Sequence, residues 1–294
     1  MELEKENEKI LSVHLMGGLG NQLFQIFTCI AYGYRVGRRV MLPYSDVLTS
    51  GTMRYTYWNT LLSGIKHLTT ADDTEYTIEK LSKFDTFQES GFRYQEIPLF
   101  NNLNVRLYGY FQSPQYFIRY YNEICSLLNL TDKLKAVRTK CSQHFRDDGR
   151  TVSMHFRLGD YKQIQDCHPL MPVDYYRAAL FHILSRRSIT KCNVLYFCQK
   201  QDEVEVSNVI SRLKNTFQNV NFIKVDDELS DWEEMLLMAN CDDNIIANST
   251  FSWWGAFFNK NTTKLVCYPS VWFGPKLKHN VVDLFPSDWQ QINW

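Results

Sequence analysis

An arginine and an aspartate follow an apolar segment that is typical of a buried strand. Residues 151–156 form this segment, Arg157 comes next, and Asp160 follows three positions later. Ligands of open α/β sheets bind beyond the carboxyl ends of the strands. An arginine there can hold a diphosphate through two parallel N–H bonds. Alternation along the strand end places His155 on the same side as Arg157. We therefore interpret Arg157 as a diphosphate-binding residue, with a structural Arg157–Asp160 ion pair as the alternative.

A second polar segment lies between an apolar strand and an aromatic helix. A strand predicted over 244–247 precedes it, and a helix with tandem tryptophans is predicted over 253–259. A helix N-terminus presents free backbone N–H groups, which suit a phosphate or a sugar. The alternative is a capped helix with a buried aromatic face. The segment contains four polar residues and one phenylalanine. It consists of Asn248, Ser249, Thr250, Phe251 and Ser252.

A glycine-rich turn, Gly-Gly-Leu-Gly-Asn-Gln at residues 17–22, follows the first predicted strand and opens a helix. Its backbone can approach a ligand closely. It lacks the third glycine of a dinucleotide fingerprint and the Gly-Lys-Ser/Thr of a P-loop, which disfavours NAD and ATP sites of those kinds. Asn21 and Gln22 could hydrogen-bond a sugar or a pyrophosphate; a plain tight turn is the alternative.

Neither zinc nor a metal-held diphosphate is indicated. The Cys141/His144 and Cys167/His168 pairs lack a matching second pair. The chain has adjacent aspartates but no Asp-x-Asp. The negative charge of a leaving diphosphate would therefore be neutralised by Arg157 and by helix N-termini. A carboxylate of the acidic run at 226–234 could accept from the edge of a guanine.

Alternating strands and helices must position these groups. The pattern predicts an α/β protein with parallel sheets, organised as two Rossmann-like halves, 1–148 and 149–294, joined near 147–150. Residues 45–103 show no clear order. The predicted strands are 10–16, 40–44, 105–111, 151–156, 193–198, 220–225, 244–247 and 264–268, and the predicted helices lie within 23–39, 114–146, 172–187, 201–217, 230–240 and 253–259.

Composition excludes several partners. Of the 294 residues, 32 are Lys or Arg and 32 are Asp or Glu, so no bulk positive field favours nucleic acid or an anionic membrane. No segment has the roughly 18 uninterrupted apolar residues of a membrane span, and no signal peptide is evident. We expect a soluble cytoplasmic protein with free buried thiols.

Seven segments, taken in order from about residue 11 to residue 275, together resemble the family 11 glycosyltransferases, the α-1,2-fucosyltransferases. No single segment is decisive, but their order is specific. The segments are the glycine turn 17–25, Gly-Tyr-Phe-Gln-Ser at 109–113 with Tyr116 and Phe117, His-x-Arg-x-Gly-Asp-Tyr at 155–161, Tyr-Tyr-x-x-Ala at 175–179, Met-x-Leu-Met at 235–238, Asn-Ser-Thr-Phe-Ser-Trp-Trp-Gly-Ala at 248–256, and Pro-x-x-Trp-Phe at 269–273.

The resemblance implies a GT-B-like fold, in which two Rossmann-like domains face a cleft. It implies that the C-terminal domain binds GDP-β-L-fucose and that the N-terminal domain lies on the acceptor side. The implied reaction is an inverting, metal-independent transfer of fucose to a hydroxyl of a glycan acceptor. The hydroxyl that the resemblance implies is O2 of a galactoside. No cofactor is implied, and the oligomeric state is left open.

The resemblance also implies roles for residues. Arg157 would neutralise the β-phosphate of departing GDP, and Asp160 would orient Arg157 or act as base, with Asp166 as a second candidate base. The implied donor ligands are Asn21, Gln22, His155, Arg157, Glu234, Asn248, Ser249, Thr250, Phe251 and Ser252. The acceptor side would include Tyr110, Gln112 and Trp58.

The chain departs from the family pattern at two positions. Leu158 stands where family members often carry a second arginine, and Glu234 where they often carry an aspartate. Two alternatives therefore stay open: a transferase of this fold that uses another nucleotide sugar, and a non-catalytic lectin-like module. Stabilisation by a UDP-sugar but not by GDP would favour the first. Binding of GDP-fucose without transfer or hydrolysis would favour the second.

Overall fold

The computed structural model describes residues 8–102, 104–145 and 149–294. These residues divide into two compact units. One unit comprises the described residues up to Thr131 together with Asn280–Pro286, and the other comprises those of Asp132–His279 together with Ser287–Trp294. Each unit contains its own parallel sheet, so each is a separate α/β layer structure.

The first unit is built on a four-stranded sheet in the order β2-β1-β6-β5, in which all pairs are parallel. Two short strands, β3 and β4, form a separate antiparallel pair. The elements of this unit are β1 (Ile10–Val13), α1 (Leu19–Val36), β2 (Arg39–Val40), β3 (Val47–Leu48), β4 (Arg54–Tyr55), α2 (Ile78–Ser82), β5 (Asp85–Gln88), β6 (Asn104–Tyr108) and α3 (Tyr121–Leu127).

The order of these strands reverses at β1. The chain leaves β1 towards β2 on one side, whereas β6 lies on its other side. The carboxyl ends of β1 and β6 therefore flank a topological switch point, where open α/β sheets bind their ligands. The glycine turn begins at Gly17, four residues after the end of β1, and the Gly-Tyr-Phe-Gln-Ser segment follows β6.

The second unit is built on a six-stranded, fully parallel sheet in the order β12-β11-β10-β7-β8-β9. Counted from β7, this is the doubly wound order 3-2-1-4-5-6 of dinucleotide-binding folds. Its elements are α4 (Leu130–Lys140), which begins at the boundary between the units, β7 (Thr151–His155), α5 (Val173–Arg187), β8 (Cys192–Phe197), α6 (Glu203–Thr216), β9 (Val220–Lys224), α7 (Asp231–Ala239), β10 (Asp243–Ile245), α8 (Thr250–Phe258), β11 (Val266–Pro269) and β12 (Gln290–Ile292).

The switch point of the second sheet lies between β7 and β10, which are neighbours. Because β7 is central, all five of its residues are buried, as expected for a parallel strand covered on both faces. The tandem tryptophans of α8 belong to this core, since Trp253 and Trp254 are fully buried. Trp253 packs on Trp289, with ring centroids 5.4 Å apart.

The predicted α/β class with two Rossmann-like halves is confirmed, but the sequence placed the boundary between them differently. The structure divides the chain at 131/132 rather than at 148/149. The reason is that α4 bonds to the second unit: Asn240 Nδ2 donates to the Leu134 carbonyl at 3.1 Å, and Lys140 pairs with Glu233 at 2.6 Å. Positions 147 and 148 of the predicted join lie outside the described residues. The arrangement of the two units about a cleft stays a prediction.

In the part of the chain that the structure describes, no helix is long and apolar enough to cross a membrane. All eight cysteines are free, and seven of them are buried. The expectation of free buried thiols is therefore confirmed, except that Cys167 is only partly buried.

Candidate active site

Arg157 lies two residues beyond the end of β7, at the switch point of the second sheet. Its Nη2 donates to Oδ1 of Asp160, and its Nη1 lies 3.4 Å from Oε1 of Gln199. The guanidinium carbon is 4.6 Å from the centre of the Tyr161 ring, a cation–π distance. The ion pair that the sequence offered as a structural alternative is therefore present. It also fixes the direction of the guanidinium.

The turn after Arg157 needs a glycine. Gly159 has a left-handed φ of +44°, and a Cβ at this position would sit 3.1 Å from Arg157 Nη1 and closer still to Gln199. The Gly159 N–H donates to the buried carboxylate of Asp202 at 2.8 Å, which Lys162 also approaches at 2.9 Å. These contacts hold the turn in place and keep Arg157 at the edge of the sheet.

His155 and Asn248 place buried polar atoms at the same edge. His155 is 7% exposed and Asn248 is 2% exposed. Among the described residues, His155 Nδ1 and Asn248 Oδ1 have no hydrogen-bond partner. Burial, with a smaller contribution from Arg157, lowers the pKa of His155 to about 3, so the ring is neutral at physiological pH. Buried polar atoms are normally paired, which makes these two atoms candidates for ligand contact.

Asn248 also braces the loops around the site. Its Nδ2 donates to the carbonyls of Pro169 and Trp272, at 3.0 and 3.2 Å, while its own carbonyl accepts from the Tyr161 hydroxyl at 3.3 Å. The Nδ2 of Asn248 is therefore engaged by the protein. Its Oδ1 is the atom of this side chain that remains available to a ligand.

The N-terminus of α8 follows Asn248 directly. Ser249 caps this helix, since its Oγ accepts from the Phe251 N–H at 3.3 Å. The Ser252 hydroxyl donates to the Ser249 carbonyl at 3.3 Å. The Phe251 ring lies 5.5 Å from that of His155, so the ends of β7 and β10 meet here. The structure thus brings His155 and the polar segment 248–252 to the sheet edge at which Arg157 lies, and their role as donor ligands stays a prediction.

Glu234 lies in the first turn of α7. Burial, followed by the negative charges of Asp231 and Asp227, raises the pKa of Glu234 to about 8. Near neutral pH this carboxyl group is therefore largely protonated in the free protein. Its role in guanine recognition stays a prediction.

Leu158, where the family pattern often has an arginine, packs against the hydrophobic core of the second unit. The two candidate bases of this unit are both ion-paired. Asp160 is bound to Arg157, and Asp166 lies 3.1 Å from Lys276 in an exposed pair.

At the switch point of the first sheet, Asn21 and Gln112 are in contact, with Gln112 Nε2 3.0 Å from Asn21 Oδ1. Gln22 keeps one buried polar atom, Oε1, without a hydrogen-bond partner among the described residues, and its role as a donor ligand stays a prediction. It is fully buried and its Nε2 donates to the carbonyls of Gly17 and Tyr55, at 3.0 and 2.9 Å. Gln22 therefore holds the glycine turn to β4, whereas Asn21 lies at the edge.

The predicted acceptor residues differ in exposure, since Tyr110 is partly buried whereas Gln112 and Trp58 are buried. Tyr110 and Gln112 follow β6 at the switch point. Trp58 is 1% exposed, so its ring presents no open face on which a sugar could stack, and we leave it out of the proposed site. Residue type alone could not distinguish a stacking tryptophan from a core one.

Sequence analysis missed a carboxylate in this unit. Glu89 follows β5, and its Oε2 accepts the backbone N–H groups of Tyr110 and Phe111 at 2.8 and 2.9 Å. It lies in the segment 45–103, which showed no clear order. The only signal that could have pointed to it was an acidic residue directly after a strand.

Among the described residues, no group of three or more His, Cys, Asp or Glu side chains is placed to hold a metal ion.

Known proteins resemble this chain over most of its length. A sequence model of the family described as Glycosyl transferase family 11 matches residues 2–293. The O-antigen biosynthesis glycosyltransferase WbnK of Escherichia coli is 32% identical over 153 residues, which cover 50% of this chain and 46% of that protein. This match thus spans about half the length of that relative. An alpha-1,2-colitosyltransferase of Escherichia coli is 25% identical over 305 aligned residues, covering 96% of this chain and 99% of that protein.

Among solved structures, a mutant of FUT1 from Arabidopsis thaliana in complex with GDP aligns over 90% of this chain and 72% of that chain. The TM-score is 0.49 and the sequence identity 10%.

Proposed function

We propose that this chain, which belongs to glycosyl transferase family 11, moves L-fucose from GDP-β-L-fucose to a hydroxyl of a glycan acceptor. The proposed accepting group is O2 of a galactoside, and the proposed reaction is inverting and metal-independent. The observation that carries the proposal is the doubly wound sheet of the second unit. Its switch point presents Arg157, His155 and the N-terminus of α8 together.

These groups match the chemistry of a nucleoside diphosphate. The guanidinium of Arg157 offers two N–H groups on one edge to phosphate oxygens. The positive end of the α8 helix dipole favours an anion. Neutral His155 adds a buried ring nitrogen without a partner among the described residues. It can therefore pair with a polar group of the nucleotide without adding a further charge.

The charge that develops during transfer is what the site must stabilise. As the bond between the sugar and the β-phosphate breaks, negative charge grows on the phosphate oxygen. A fixed positive group aimed at that oxygen lowers the barrier without reorganisation. Asp160 and the Tyr161 ring hold Arg157 in one direction, so we assign them a positioning role. In this proposal Arg157 supplies the charge that a metal ion would otherwise supply.

A second candidate donor is a nucleotide-activated colitose. The relative that is aligned over 99% of its length is named an alpha-1,2-colitosyltransferase. Colitose differs from L-fucose by lacking the hydroxyl at C3. A loss of this one hydroxyl changes few contacts, so both sugars belong in the test of the donor.

Nucleotide selectivity can be tested by thermal unfolding with EDTA present. We expect GDP to raise the Tm, because at about 100 times its Kd a ligand adds about 2.7 kcal/mol of stability. We expect UDP at equal concentration to leave the Tm unchanged.

Transfer is then assayed with GDP-fucose and GDP-colitose on β-galactosides. Protection by UDP and not by GDP would contradict the donor. Loss of transfer in EDTA, restored by Mg²⁺ or Mn²⁺, would contradict metal independence.

A further inference from the structure

We propose that Asp202 is a positioning residue that directs the guanidinium of Arg157 towards the donor diphosphate, an inference that rests on the proposed function. Asp202 ends a short 3-10 helix, Lys200–Asp202, which follows β8 and leads into α6. Its side chain is fully buried. A buried carboxylate is costly unless the protein pairs it. The groups that pair with Asp202 therefore indicate its role.

Asp202 directly precedes α6, the position at which an aspartate ordinarily caps its own helix. Among the described residues, however, its side chain makes no capping bond to α6. The carboxylate bonds instead to the turn that follows β7. The positive end of the α6 dipole lies beside it and favours its negative charge. Helix capping therefore does not explain this residue.

The loops after β7 and β8 lie side by side. The two strands pair in parallel, with His155 opposite Phe197, and the Phe156 N–H donates to the Phe197 carbonyl at 2.8 Å. Two residues beyond that pair, Arg157 Nη1 lies 3.4 Å from Gln199 Oε1. In the sheet, β8 and β10 flank β7 on opposite sides. The turn after β7 therefore lies between the loop after β8 and the polar segment that follows β10.

Asp202 holds the turn after β7 at two points. Its Oδ2 accepts the Gly159 N–H at 2.8 Å, and its Oδ1 lies 2.9 Å from Lys162 Nζ. Lys162 Nζ also lies 2.5 Å from Oε1 of Glu205, on α6. Both points belong to the 3-10 helix Gly159–Gln163, which forms the turn. One buried carboxylate therefore fixes the start and the body of this turn.

The hold on Gly159 reaches Arg157 through Asp160. Asp160 follows Gly159 in the chain, and its carboxylate accepts from Arg157 Nη2. Gly159 has a φ of +44°, and glycine has more backbone freedom than any other residue. Its N–H bond to Asp202 removes freedom at the point where the chain could most easily shift Asp160. Asp202 therefore acts on Arg157 without touching the donor.

Both oxygens of Asp202 are needed for this task. A carboxylate accepts on each oxygen, whereas an asparagine has one acceptor and one NH2 group. In Asp202→Asn the NH2 group would face either the Gly159 N–H or the Lys162 ammonium. A donor would then face a donor, so only one of the two contacts could remain. The substitution therefore loosens the turn with almost no change in side-chain volume.

Asp202→Asn is expected to lower kcat by about tenfold, because a small misplacement of a group that acts on the transition state can cost up to about 10²-fold. Binding of GDP should weaken as well. In an Arg157→Ala background the same substitution should change kcat by less than about threefold, since no guanidinium is left to direct. The measurement is a double-mutant cycle in kcat and in the Kd of GDP.

Asp174→Asn is the matched control, since Asp174 forms an exposed ion pair with Arg177 on α5 of the same unit. It should leave kcat and the Kd of GDP at their wild-type values. Thermal unfolding of each variant separates positioning from structural support. A purely structural Asp202 would lower the Tm, and any loss of kcat would then be the same with and without Arg157.

Losses of kcat that differ by less than about threefold between the two backgrounds would overturn the positioning role while leaving the transferase intact. If Asp202→Asn does not fold, Lys162→Gln replaces it under the same criterion, because it removes the ion pair to Asp202 from a partly exposed position. If wild type transfers neither GDP-sugar, the proposed transfer fails and the cycle in the Kd of GDP decides the role of Asp202. Absence of GDP binding as well would overturn both.

Discussion

Replacing Arg157 by alanine is expected to slow sugar transfer by about 10²-fold or more, the cost of removing one preorganised donor to a developing anion. The reason is that Arg157 is the positive group placed at the switch point of the second sheet. Binding of GDP should weaken as well. The measurement is kcat and KM with GDP-fucose at saturating acceptor, together with GDP protection in thermal unfolding.

Two further variants make this result specific. Arg157→Lys keeps the charge but loses the planar fork, so we expect activity between those of wild type and Arg157→Ala. Arg177→Ala removes an exposed arginine of the same unit, which is also paired with an aspartate three positions away. It should leave transfer and GDP protection unchanged. Equal activity in wild type and Arg157→Ala would remove Arg157 from the mechanism.

Asp243→Ala is expected to reduce the free energy of unfolding by about 3 kcal/mol, because it leaves two arginines without their counter-charge. Asp243 is fully buried. It accepts from Arg150 Nε at 2.8 Å, from Arg187 Nη2 at 2.5 Å and from the Leu265 N–H at 2.7 Å. The two arginines are partly exposed, so water compensates some of the loss, and we place the effect at the low end of the range for buried pairs.

Equilibrium unfolding in urea measures this loss. The control is Asp174→Ala, because Asp174 forms an exposed pair with Arg177, and exposed pairs contribute about 0 to 1 kcal/mol. A change in Asp243→Ala no larger than that in the control would show that the Asp243 cluster does not hold the sheet together.

Much of the second unit could be predicted because its signals are local. Strands β7 to β9 are short segments rich in apolar residues and are separated by helices, and that alternation predicts a parallel sheet. The place of Arg157 followed from its position after β7. Its pair with Asp160 was foreseen as an alternative, since three residues separate them. The final strand, β12, was not predicted, because Gln290–Ile292 is short and two of its three residues are exposed.

The rest depended on contacts between residues distant in sequence. The sequence did not show that Gln22 Nε2 donates to the carbonyl of Tyr55, because Tyr55 lies in a hairpin that no local pattern indicated. Trp58 looked like a stacking surface, but it is buried. Glu89 meets Tyr110 and Phe111 only because β5 and β6 pair in register. No local pattern encodes that pairing, so a partly buried carboxylate at the edge was not visible.

Transfer from GDP-β-L-fucose to a β-galactoside in EDTA, with the product analysed by NMR, bears most directly on the proposed sugar transfer. We predict turnover without added metal and a new α-linked fucose on O2 of galactose. The same product with colitose, formed from GDP-colitose in preference to GDP-fucose, would correct the sugar but retain the nucleotide and the site. No transfer from either GDP-sugar, together with turnover of a UDP-sugar, would contradict the proposal.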